Sequence, residues 1–167
     1  MRYSDGKDTF LMSGLNKDIV ECWKYCYERF KEQPNDMHIL DDIRNVGTID
    51  DKCQAIFGYM VSNTYYRLDD DGVQKIKSPA RLLDDKCGDC KSYTMFLASC
   101  LHCLGIPHKV RFVNFDGGNQ YTHVYCVAIG EQGNEIIMDA CELDRDGTPL
   151  YDYARKYNKK KDLYYVR

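Results

Sequence analysis

Cys87-Gly88-Asp89-Cys90-Lys91-Ser92-Tyr93-Thr94-Met95-Phe96-Leu97 is the stretch on which the reading of this chain turns. A short polar lead runs straight into an apolar segment of helical spacing. Tyr93, Leu97, Cys100, Leu101 and Leu104 fall on one face. Gly105 is a natural stop, and Pro107 stands just beyond it. Asp89 suits the N-cap, which places Cys90 in the first helical turn. Unpaired N–H groups and the helix dipole favour negative charge on a sulfur there.

Downstream, the apolar period changes to two. Residues 108–115 alternate through Val110 and Phe112, and Asp116-Gly117-Gly118-Asn119 is a turn. Residues 121–129 and 135–140 read as two more strands, joined across 130–134. A last strand is predicted at 163–166. Upstream, residues 17–30 carry Ile19, Cys22, Trp23, Cys26 and Phe30 on one helical face, so Cys22 and Cys26 are core rather than a metal pair. Gln33-Pro34-Asn35-Asp36 breaks that helix. Thr48 or Asp50 caps a second helix, with Cys53, Ile56, Phe57, Met60 and Val61 inward, ending near 65–67. Residues 1–15 read as an irregular lead-in, 78–86 as extended or loop, and Lys159-Lys160-Lys161 as a solvated loop. Helices first and an antiparallel sheet afterwards predict an α+β fold, with the 89–104 helix packed on the sheet. There is no internal repeat or linker, so residues 1–167 are expected to form one domain.

Composition narrows the function. With 44% apolar and 13% aromatic residues, the 167-residue chain is globular rather than disordered. A net charge of −3 gives no electrostatic reason to bind nucleic acid. The first ten residues lack the apolar core of a signal peptide, and no segment is long enough to span a membrane. Nine cysteines, an odd number, fit buried free thiols in a reducing cytoplasm better than a disulfide framework. Asp69-Asp70-Asp71-Gly72 is an acidic turn whose spacing fails as an EF-hand loop.

Chemistry enters with the order of Cys90, His123 and Asp139. A thiol, an imidazole and a carboxylate in those places can form a nucleophile, its base and the group that orients the base. Strand alternation puts Tyr121, His123, Tyr125, Val127 and Ile129 on one side. If Ile129 pairs with Glu135, Tyr125 faces Asp139 and His123 faces Cys141. Asp139 is then a diagonal neighbour of His123 at roughly 7–8 Å. A slip of one residue would put the pair on opposite faces. The Asp89 carboxylate opposes a thiolate at Cys90, so an imidazolium at His123 is expected to supply the main stabilisation. His38, His102 and His108 have no comparable partners.

These residues resemble the core of the transglutaminase-like superfamily. The likeness rests on Ser78-Pro79, on Cys87-Gly88-Asp89-Cys90, on the helix ending Leu104-Gly105-Ile106-Pro107, and on Thr122-His123-Val124 and Met138-Asp139 in that order. It covers roughly residues 45–142. The resemblance implies a papain-like α+β fold with Cys90 as nucleophile, His123 as base and Asp139 as orienting acid. It implies acyl transfer from an amide of a peptide or protein through a thioester, to water or to an amine. Tyr66 is the candidate for the aromatic residue that completes the oxyanion hole in the family. No cofactor and no metal ligand is implied, and the oligomeric state is left open.

Three other readings stand beside this one. A thiol–disulfide oxidoreductase would use Cys87-Gly88-Asp89-Cys90, but the charged residues Arg81, Asp84, Asp85 and Lys86 replace the buried strand such a motif needs. A zinc module would use Cys87, Cys90, Cys100 and Cys103, although helical burial explains the second pair without metal. An inactive domain of the same fold would serve binding or assembly.

Overall fold

The computed structural model describes residues 9–13, 19–153 and 155–165. In chain order the elements are β1 (Thr9–Ser13), α1 (Ile19–Phe30), α2 (Gln33–Asp36), α3 (Ile49–Asn63), β2 (Tyr65–Tyr66), β3 (Val73–Lys77), α4 (Pro79–Asp85), β4 (Cys87–Gly88), α5 (Cys90–Cys103), β5 (His108–Asn114), β6 (His123–Ile129), β7 (Glu135–Met138) and β8 (Lys159–Tyr165). A four-stranded antiparallel sheet runs in the order β7-β6-β5-β8. The α+β reading holds: the helices come first and α5 packs on this sheet.

Sheet alternation divides the interior. Val110, Phe112, Val124, Cys126, Ala128, Ile136 and Met138 face the main core with α5. Val113, Tyr125, Val127 and Ile137 form a smaller cluster on the other face. There, buried Arg111 holds Asp162 at 2.8 Å and Glu135 at 3.0 Å, so these charges are paired. The α5 segment 91–101 is buried all round rather than on one face, because α1, α3 and α4 cover the sides away from the sheet.

The hairpin register is the one that links the site residues. Ile129 pairs with Glu135, and the ladder continues to Cys126 opposite Met138. Helix α3 starts where the cap was read. Thr48 accepts from the Asp51 N–H, and the Asp51 carboxylate accepts from the Thr48 N–H. The helix ends at Asn63, earlier than expected, and the chain turns extended to pair β2 with β4.

Four expectations need correction. Residues 79–85 are helix, not loop: Ser78 Oγ accepts from the Arg81 N–H, Pro79 fits the first turn, and Lys86 closes the helix in the left-handed region at φ 58°. The charges that argued against a buried strand here pair along the helix, Arg81 with Asp85 at 3.2 Å. Lys159-Lys160-Lys161 opens edge strand β8 rather than a loop, since Asp162 in the same strand is drawn in opposite Arg111. Within the lead-in, Thr9–Ser13 forms a strand on β3, while residues 1–8 and 14–15 lie outside the described residues. The last strand begins at Lys159 instead of residue 163, and its expected end at Val166 lies outside the described residues. Nearby, Tyr165 of the tyrosine-rich tail packs on Tyr27 at 4.3 Å, and Tyr151 bonds Asp50.

Candidate active site

Asp89 caps α5, its Oδ1 accepting from the Lys91 N–H at 3.0 Å, and this makes Cys90 the first helical residue. Neighbouring groups pin the start of the helix. Trp23 Nε1 donates to the Lys91 carbonyl at 3.2 Å, Ser92 Oγ accepts from the Lys77 N–H at 3.0 Å, and Thr94 Oγ1 donates to the Val124 carbonyl at 3.2 Å. The last bond ties α5 to β6 one residue beyond His123.

His123 is the first residue of β6, and Asp139 directly follows β7. Both therefore sit at the end of the sheet that meets the start of α5. His123 Nε2 and Asp139 Oδ2 are 2.7 Å apart, the short separation of a charge-assisted bond. The other carboxylate oxygen, Oδ1, accepts from the Cys141 N–H at 3.1 Å, which fixes the carboxylate plane. The Cys90 thiol stands beside the same imidazole and favours its charged form. With Nε2 committed to Asp139, Nδ1 is the nitrogen left for the sulfur. Burial works against a charged ring here. Asp139 and Cys90 outweigh it and push the His123 imidazolium up to about 10. Phe115 stacks on the ring at 5.6 Å and limits its rotation.

Three groups complete the surroundings. Tyr66 lies on β2 opposite Gly88 of β4, two residues before the sulfur. Its ring meets Tyr93 edge-on at 5.8 Å. Burial, then the charges of Cys90, Cys141 and Asp89, drive the phenol well above its ordinary value, so it remains a neutral O–H donor. Its hydroxyl and the Cys141 thiol are neighbours, each affecting the other's ionisation. Cys141 is pushed up by burial and by the charges of Asp139 and Cys90, which keeps it a thiol. Lys91 was not anticipated. Its buried ammonium pairs with Asp89 and lies 3.2 Å from Asp69. Lys91 thus offsets the Asp89 charge that opposes a thiolate at Cys90. The available signal was a lone lysine at the head of an apolar helix. A small cleft of about 40 Å³ opens at Cys90 and His123, walled by Ile19, Phe112, Tyr121 and Val124.

The remaining chemistry-bearing residues stand elsewhere. All nine cysteines are free thiols. Cys87 is buried in β4, its Sγ 3.8 Å from Lys77 Nζ, with helix α4 ahead of it where an oxidoreductase motif needs a strand. Cys100 and Cys103 are buried in α5. Neither Cys-x-x-Cys pair forms a ligand cluster among the described residues; His123, Asp139 and Cys141 do. His108 lies at the far end of β5, between the Tyr27 hydroxyl at 2.9 Å and the Ile106 carbonyl at 2.8 Å.

Sequence comparison agrees with this geometry. The family model of the transglutaminase-like superfamily matches residues 38–139, which include Cys90, His123 and Asp139. The chain belongs to the transglutaminase-like superfamily. No curated protein sequence matches it. Solved structures share the transglutaminase-like fold at low identity. A candidate cysteine protease from Cytophaga hutchinsonii is 13% identical, with a TM-score of 0.50 over 95% of this chain and 63% of that one. A candidate protease from Parabacteroides distasonis is 14% identical, with a TM-score of 0.54 over 73% of this chain and 25% of that one. The chain thus spans less than two thirds of either. Among the described residues no helix is long and apolar enough to cross a membrane.

Proposed function

We propose that this chain is a cysteine-dependent acyl-transfer enzyme acting on an amide bond of a peptide or protein. One observation carries the reading: His123 is held by Asp139 at 2.7 Å and shares a cleft with Cys90 at the start of α5. Cys90 Sγ, as thiolate, attacks the carbonyl carbon. The Cys90 N–H and the Tyr66 hydroxyl receive the developing oxyanion. The His123 imidazolium gives its proton to the leaving amine as the C–N bond breaks, which leaves a thioester on Cys90. The neutral ring then takes a proton from water or from an acceptor amine as that group attacks the thioester, and acid or amide is released. Asp139 keeps Nε2 protonated and so directs Nδ1 at the sulfur. The free thiols favour a reducing, cytoplasmic setting.

The test is iodoacetamide labelling across pH, followed by peptide mass spectrometry, on the parent protein, Cys90→Ala and His123→Ala. Cys90 is expected to alkylate below neutral pH well ahead of the other eight, and to lose that lead in His123→Ala. Peptide amides are then expected to turn over with the parent and not with Cys90→Ala. Turnover that survives in a folded Cys90→Ala protein removes the assignment. A Cys90 no faster than its fellows, with no turnover, leaves the domain a binding or assembly part.

A further inference from the structure

Two residues of the proposed reaction centre, His123 and Asp139, also belong to a second arrangement, which is completed by Cys141, a residue that the reaction does not use. One donor atom each from His123, Asp139 and Cys141 falls within 4.8 Å of the other two. Asp139 is buried, and His123 and Cys141 are half-buried, so the group is neither a solvated acidic patch nor a lone thiol. Four-coordinate zinc, with bonds of about 2.0 Å to nitrogen or oxygen and about 2.3 Å to sulfur, sets one nitrogen, one oxygen and one sulfur donor about 3.3–3.5 Å apart. The His123–Asp139 pair, now at 2.7 Å, would open by about 0.6 Å, and the pairs with Cys141 would close by up to about 1.3 Å, to reach that spacing. The donors also leave one position open, as three protein ligands do at zinc sites that keep water. Their chemistry is selective. A thiol beside an imidazole suits zinc and disfavours calcium or magnesium, which take oxygen.

We propose that His123, Asp139 and Cys141 form a Zn²⁺ site whose occupation switches off the thiol chemistry of Cys90. The metal enters between His123 and Asp139 and replaces the proton that now joins them. Binding displaces that proton and the thiol proton of Cys141. The carboxylate and the imidazole both turn from each other to the metal. With Nε2 on zinc, Asp139 no longer directs Nδ1 at the sulfur, and His123 no longer serves as the imidazolium that protonates the leaving amine. Cys141 is what distinguishes this site from a simple thiolate–imidazole trap, which would consist of Cys90 and His123 alone. It sits where metal, Asp139 and the Tyr66 hydroxyl meet, so zinc also draws the Cys141 thiol away from that hydroxyl. Binding stands on the geometry; the inhibitory consequence rests on the proposed reaction.

The experiment titrates Zn²⁺ alone into the reduced full chain against a chromogenic chelator and separates the variants. One equivalent is expected to bind to the parent and equally to Cys90→Ala, because Cys90 is not a ligand. Cys141→Ser and Asp139→Asn are each expected to weaken that equivalent at least tenfold while keeping the parent circular dichroism spectrum. Undiminished binding in a folded Cys141→Ser protein overturns the site. Loss of binding in Cys90→Ala also overturns it, in favour of a trap made by Cys90 and His123. Because Cys90→Ala has no nucleophile, this measurement succeeds or fails independently of whether the acyl-transfer reading stands.

Discussion

Replacing Asp139 with Asn probes the core of the site with little change of shape. The Cys141 N–H keeps an oxygen to bond, while the charge facing His123 disappears. In the parent, the imidazolium is carried from the ordinary 6.5 to about 10 even though burial pulls the other way. That displacement corresponds to about 5 kcal/mol in favour of the protonated ring, supplied jointly by Asp139 and Cys90. Removing the carboxylate charge should give up about half, roughly 2–3 kcal/mol, and bring the His123 titration down to near pH 8. Nuclear magnetic resonance of the ring protons reads this directly, since the chain holds four histidines. Stability has a definite sign. The folded-state value lies above the unfolded one, so this group stabilises fully below pH 6.5 and its contribution disappears as pH rises through 10. Asp139→Asn should therefore lose most stability at acid and neutral pH, and the gap to the parent should close in alkali. A parent His123 that titrates near 6.5, or a titration unmoved by Asp139→Asn, refutes the bridged imidazolium.

Tyr66→Phe removes the hydroxyl but keeps the ring on Tyr93; kcat on a peptide amide should drop by about 10²–10³ with rapid Cys90 alkylation retained. Equal loss of alkylation would make Tyr66 a support for the thiol rather than an oxyanion donor. His108 is pushed down to about 4 by burial, so its stabilising neutral form is full above pH 6.5 and is lost as pH falls through 4. Urea denaturation should lose about 3 kcal/mol between pH 7 and pH 4 through this group, and His108→Leu should flatten that slope. Gly88→Ala would set a Cβ 2.7 Å from Leu82 Cδ1 and 3.0 Å from Ser92 Cβ; with Leu82 fully buried, chemical denaturation should show a loss of about 1–3 kcal/mol.

Legibility followed the range of the interaction. Helix α5, its Asp89 cap and its stop at Gly105 were legible because each rests on neighbours in sequence. The same holds for α3, capped by Thr48 of the two candidates Thr48 and Asp50, and for the 129–135 hairpin, in which the supposed Ile129–Glu135 pairing is the one that forms. The order Cys90, His123, Asp139 and the α+β class follow from such local rules alone. Helix α4 was read as extended or loop; the pairing of Arg81 with Asp84 and Asp85 along a helix turn is seen only once the helix exists. Strand β8 was misread because three lysines outweigh one Asp162 until Arg111 stands opposite it. Lys91 was passed over for the same reason. A buried ammonium is tolerable only beside Asp89 and Asp69, and Asp69 arrives from a loop more than twenty residues upstream. Tertiary structure also decided that Tyr66 and Cys141 meet beside Cys90. The one-dimensional pattern specifies which groups are available. Desolvation and charge pairing, which set what those groups can do, depend on distances that only the packed chain creates.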